Sequence, residues 1–137
     1  MKWNRYIQNL YQRSEPYLKM RNDALHTRVA HDYAVLLLQK EGGDRRIVEP
    51  AIILHDVGWS ALKPEDIENA YGVRATGEKA RKLNRIHEVR GAEIAAEILT
   101  DLSCDPTATG KILKIIERHD SGTCPDTTEE KLVKDAD

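Results

Sequence analysis

Apolar residues recur along this chain with a helical period. Trp3, Tyr6, Ile7, Leu10 and Tyr11 fall at i, i+3, i+4, i+7 and i+8, the stripe of an amphipathic helix. Ser14-Glu15-Pro16 ends that stripe, because Pro16 cannot continue a helical ladder but suits the first turn of a new helix. The pattern then predicts a second helix over Tyr17–Lys40, closed by Gly42-Gly43. Asp44 predicts the cap of a third helix over Arg45–His55, with a kink or a late start at Pro50. Asp56–Ser60 reads as a turn, and Pro64-Glu65-Asp66 as a short helix start with its acids at the positive end of the dipole. Tyr71-Gly72 and Thr76-Gly77 are loop punctuation. A long pattern covers Glu78–Leu102, as one helix or two. Asp105-Pro106 opens a helix carrying Ile112, Leu113, Ile115 and Ile116, and Asp126 and Glu129 have capping-box spacing ahead of Leu132 and Val133. No segment alternates with period two. The expected architecture is all-α, a compact bundle of five to seven helices. The reading is a single domain over 1–137, with a core over 17–137 and an N-terminal helix over 2–13 packed on it.

Composition narrows the classes. The chain has 137 residues, about one domain's worth. Its 40% hydrophobic and 32% charged residues make it too apolar for a disordered chain and too charged for a membrane protein. The longest apolar runs, Ala34–Leu38 and Ala51–Leu54, fall far short of the roughly 20 residues of a membrane span. A net charge of −2 argues against broad nucleic-acid binding, which needs a basic surface. Cys104 and Cys124 form no CxxC pair, and Met1–Tyr6 has no signal-peptide core. Reduced thiols and a cytoplasmic location are expected. Composition leaves the oligomeric state open.

The histidines carry the candidate chemistry. His26 shares a stripe with Val29, Ala30, Tyr33 and Leu37. His55 follows Val48, Ala51 and Ile52, and His119 follows Ile112, Ile115 and Ile116, each at i−7, i−4 and i−3. His87 leads Gly91, Ile94, Ala95 and Ile98. Each of the four thus sits near the end of an apolar face, on a different predicted helix, and apolar faces meet in one core. A buried imidazole without a partner costs about 1–3 kcal/mol. Four of them would consume much of a domain's total stability of about 5–15 kcal/mol. Either a shared metal ion offsets this, since neutral imidazole is among the best ligands, or each ring finds its own protein partner. Spacing leaves both open. Asp56 and the segment Lys134-Asp135-Ala136-Asp137 offer oxygen ligands, with Asp137 at i+4 from Val133. His31 lies about 140° around its helix from His26 and reads as structural, or as a support behind the ligands.

In order, these residues are His26-Thr-Arg-Val29, Ile53-Leu-His55-Asp56-Val-Gly58, His87 with Gly91–Ala95, Ile115-Ile116-Glu-Arg-His119-Asp120, and Lys134-Asp-Ala-Asp137. The set resembles the HD domain superfamily of metal-dependent phosphohydrolases, over residues 26–137. The resemblance implies that His26, His55, Asp56 and Asp137 bind one divalent ion. It implies His87 and His119 as added ligands for a second ion, with Asp56 bridging. The ions would be Mn, Fe, Mg, Ni or Zn, one or two per chain. The implied activity is hydrolysis of a small phosphorylated metabolite, a nucleotide being the leading candidate, through attack of a metal-bound hydroxide. Asp56 would be catalytic, with Asp120 or Glu88 as a base.

Two departures qualify the resemblance. Many two-ion members carry a Lys shortly after the His-Asp pair, where this chain has Gly58-Trp59-Ser60-Ala61. The segment Arg74–Arg90, with a local charge of +4, is the candidate replacement, and Arg85 and Arg90 are expected to bind substrate. Relatives usually continue the helix past the final Asp, whereas a ligand at Asp137 sits on a terminus that frays. A di-iron oxygenase and a non-catalytic nucleotide-binding sensor are the alternative readings.

Overall fold

A computed structural model describes residues 2–19, 24–63, 65 and 77–137. Among these residues there are six α-helices and no strand: α1 (Lys2–Ser14), α2 (Ala24–Glu41), α3 (Arg45–Leu54), α4 (Gly77–Asp101), α5 (Pro106–Arg118) and α6 (Thr128–Ala136). Two 3-10 turns, Glu15–Tyr17 and Val57–Ala61, complete the described elements. The short helix expected from Pro64 and the loop signal at Tyr71-Gly72 fall outside the described residues. No helix among them is long and apolar enough to cross a membrane.

The bundle is organised around α3. Every residue from Ile47 to Leu54 is buried, and α1, α2, α5 and α6 all pack against this one rod. Asp44 caps it by accepting from the Arg46 N–H at 2.9 Å. Pro50 therefore does not delay the helix, contrary to one reading of the sequence. Lys2–Ser14 lays Leu10 and Ser14 against the core, and the Ser14 hydroxyl donates to the Tyr11 carbonyl. The second helix starts later than its apolar pattern suggests. Pro16 sits in a 3-10 turn, closed by the Leu18 N–H on the Glu15 carbonyl at 3.1 Å, so Tyr17 and Leu18 do not belong to α2. The long pattern forms one helix, α4. The last cap lies one residue beyond the expected pair: Thr127 accepts from the Glu130 N–H, and Glu130 accepts from the Asp126 N–H. Glu129 instead accepts from the Asp44 N–H at 2.9 Å, tying the start of α6 to the start of α3.

His31 links the first three helices. Its Nε2 lies 2.8 Å from the buried Glu49 carboxylate, and its Nδ1 lies 2.5 Å from the Tyr11 hydroxyl. Arg45 donates to the second Glu49 oxygen at 2.9 Å. Burial raises the Glu49 carboxyl, but His31 and Arg45 outweigh it and hold it below the ordinary carboxylate value. The stability this adds is present above that ordinary value and is lost as pH falls through the lowered one. Glu49→Gln is accordingly expected to flatten the acid limb of the stability–pH curve, read by denaturant melts between pH 3 and 6. An unchanged acid limb would contradict the pairing.

Beyond α3, the chain makes its tightest approach. A Cβ on Gly58 would lie 1.7 Å from the His87 carbonyl oxygen and 2.6 Å from the Gly91 nitrogen. Only glycine lets the 3-10 turn lie directly on the α4 backbone at the level of His87. Trp59, 2% exposed, then stacks on the His87 ring at 4.0 Å between centroids. Gly58→Ala should cost about 3 kcal/mol or more, because backbone rather than a flexible side chain must move. A melt within 1 kcal/mol of wild type would refute the contact.

Candidate metal centre

Five rods converge on one point. The C-terminus of α3 delivers His55 and Asp56, α2 brings His26 across from one side, and the last residue of the described chain, Asp137, caps α6. The middle of α4 supplies His87, and the C-cap of α5 supplies His119. The six residues singled out by spacing and resemblance therefore lie together. The donor atoms of His26, His55, Asp56 and Asp137 are within 4.8 Å of one another, as are those of Asp56, His87 and His119. A third group, His119, Asp120 and Asp137, overlaps both. His31 lies outside all three.

Asp56 joins the two halves with its two oxygens. Oδ2 is 3.1 Å from His55 Nε2 and 3.5 Å from His26 Nε2. Oδ1 is 3.8 Å from His119 Nε2 and accepts from the Trp59 indole at 3.2 Å. In the first half, Asp137 Oδ1 is 3.0 Å from both His26 Nε2 and His55 Nε2. In the second, His87 Nε2 is 3.1 Å from His119 Nε2 and 3.1 Å from Asp120 Oδ2.

The ring orientations decide what these distances mean. His55 Nδ1 is 2.5 Å from the Ile52 carbonyl, and His119 Nδ1 is 2.6 Å from the Ile116 carbonyl. A carbonyl only accepts, so both Nδ1 atoms carry hydrogen, and in the neutral ring Nε2 then presents a lone pair inward. Those lone pairs meet carboxylate oxygens and another imidazole nitrogen, an arrangement that needs positive charge between them. His87 Nδ1, fully buried, has no hydrogen-bond partner among the described residues. Donors about 2.0–2.2 Å from a common ion lie roughly 3–3.5 Å from each other, which matches most of the separations above. Backbone carbonyls fixing Nδ1–H are also the usual way a ligating imidazole is oriented. The residues present thus fit divalent ions.

Without an ion, protons take that role. Burial alone would push the His55 imidazole down, but Asp56 and Asp137 outweigh it and hold it well above its ordinary value. His119 is raised too, its burial opposed by the neighbouring Asp56 carboxylate. Asp56 is pushed up by burial and pulled well below the carboxylate range by His55 and His119. Asp137 and Asp120 are likewise lowered against burial, by His55 and by His87 respectively.

A family model for the HD domain matches residues 24–137, most of the chain. The chain belongs to the HD domain family. No curated protein and no solved structure matches it. The HD domain match begins at the first residue of α2 and leaves α1 outside it. Metal-dependent phosphohydrolases make up the superfamily that this domain indicates, and the His/Asp groups can hold a metal.

The structure gives specific protein partners to three further charged residues named from the sequence. Arg85 donates to the Glu117 carbonyl at 2.6 Å and pairs with the Glu117 and Glu88 carboxylates, while Arg90 pairs with Glu93. Both guanidinium groups pair with carboxylates of α4 and α5 while remaining about half exposed. Glu88 lies behind the cluster. It is fully buried, and its Oε2 accepts from the Asp120 and Ser121 N–H groups at 2.9 Å each. Trp59 was not singled out by the sequence reading; its only signal was an indole three residues beyond Asp56.

Proposed function

We propose that this HD domain holds two divalent ions and hydrolyses a phosphate ester of a small molecule, a nucleotide being the leading candidate. One observation carries the reading: Asp56 turns one oxygen toward His26 and His55 and the other toward His119. A carboxylate shared in that way suits a pair of ions, and the inward Nε2 atoms suit their ligation. Divalent ions held there would acidify a water molecule and neutralise charge developing on the phosphoryl group. The chain's own residues do the positioning. Asp56 is the catalytic carboxylate common to both halves, and the Trp59 indole fixes its rotamer through Oδ1. The Ile52 and Ile116 carbonyls keep His55 and His119 in the ligating tautomer.

The test is phosphate release from a panel of nucleotides and other phosphomonoesters and diesters by Mn(II)-loaded protein, set against Asp56→Ala. Turnover in the wild type alone supports the reading, and equal turnover in both removes it. The donor set is nitrogen and oxygen only, which suits iron as well. Oxygen consumption by iron-loaded protein, with no phosphate released under any metal, would favour the oxygenase reading instead. A nucleotide that raises Tm without being turned over would favour a sensor.

A further inference from the structure

We infer that Asp120 is a ligand of the second ion, and that the buried Glu88, held by Arg85, forms a bracket that keeps it there. The inference rests on the two-ion reading above. Asp120 follows His119 in the turn after α5, and its side chain is 37% exposed. A surface carboxylate in that position is free to face water. This one turns inward, with Oδ2 3.1 Å from His87 Nε2 and 3.6 Å from His119 Nε2. The two nitrogens are themselves 3.1 Å apart. Three donor atoms in such a triangle have the mutual spacing of ligands on one ion about 2.0–2.2 Å away. A simple hydrogen bond from His87 to Asp120 would explain one side of the triangle. It would leave the His119 lone pair facing the same point.

The bracket explains why the turn holds this shape. Glu88 neighbours His87 on α4, and its fully buried carboxylate accepts the N–H groups of Asp120 and Ser121. Arg85, one turn earlier, lies 3.4 Å from the other Glu88 oxygen and anchors to the Glu117 carbonyl at the end of α5. Burying a carboxylate costs several kcal/mol unless it is compensated, and here the compensation comes from the two amides and the guanidinium. One stretch of α4 thus provides both a ligand, His87, and the support for another, Asp120. This gives each ion two imidazoles, one carboxylate of its own and a share of Asp56. Three carboxylates against two dications leave a single positive charge in excess, which favours an anionic substrate.

The experiment is titration of the full chain with Mn(II), following bound metal per chain and the spin coupling between ions by electron paramagnetic resonance. Wild type is expected to bind two ions. Asp120→Asn should keep the first at wild-type affinity and weaken the second at least tenfold, with loss of the coupled signal. Glu88→Gln should weaken the second ion by a smaller factor and leave the first unchanged. A second ion bound by Asp120→Asn within twofold of wild type overturns the inference. Loss of both ions together shows a structural role for Asp120 and also overturns it. Fewer than two ions in the wild type itself contradicts the two-ion reading along with this inference.

Discussion

Replacement of Asp56 by Asn is expected to abolish phosphate release, by at least about a thousandfold, the equivalent of roughly 4 kcal/mol of barrier. Asn has nearly the same volume, so the loss would not come from a cavity. The change removes one charge at the residue that turns one oxygen toward His26 and His55 and the other toward His119. It also removes the charge that most raises His55. Both ions should weaken together, unlike in Asp120→Asn, where only one does. His31→Gln is the matched control: His31 is buried on the same helix as His26 but bonds Tyr11 and Glu49 instead. It should lose stability and retain turnover per folded molecule. A His31 variant as inactive as the Asp56 variant would show that the cluster boundaries are wrong.

Metal binding should stabilise the domain strongly, and increasingly so as pH rises. An ion at a hundred times its Kd adds about 2.7 kcal/mol. The pH dependence follows from the imidazoles. His55 and His119 are raised above their ordinary value of about 6.5 in the ion-free protein. Their contribution to stability is therefore full below pH 6.5 and is lost as pH rises through the raised values. Ion-free protein should melt at progressively lower temperature across that window. Ligation needs neutral imidazole, so ion binding displaces those protons and tightens over the same window. The gap in Tm between Mn(II)-loaded and ion-free protein is thus expected to widen from pH 6 to pH 8.5, with proton release measurable by calorimetry in buffers of different ionisation enthalpy. A gap that is constant with pH, or one that narrows, would contradict this.

Much of this was legible in the sequence, for definite reasons. The helical phases of His55, His87 and His119 indicate burial, and all three are buried. His26 joins them at the cluster, but its side chain is 41% exposed because its stripe partners Val29 and Tyr33 face outward rather than into the core. Other features depend on information that phase does not carry. The start of α2 is displaced because Pro16 closes a local 3-10 turn, although the apolar stripe runs on through Tyr17. The cap of α6 is shifted because Thr127 competes with Asp126, which is engaged by Arg118 and Lys114. Arg85 and Glu88 lie in a charged stretch, and charge runs carry no direction. Their pairing across α4 and α5 became visible only with both helices in place. Gly58 reads as part of a turn, but its close approach to the His87 carbonyl belongs to a long-range packing that no local pattern encodes.

The central claim is that imidazoles and carboxylates from separate helices surround bound ions. Anomalous scattering from crystals grown with Mn(II) tests it most directly. The account predicts two peaks, one among His26, His55, Asp56 and Asp137, and one among Asp56, His87, His119 and Asp120. Rings hydrogen-bonded only to protein groups, with no anomalous peak between them, would contradict it.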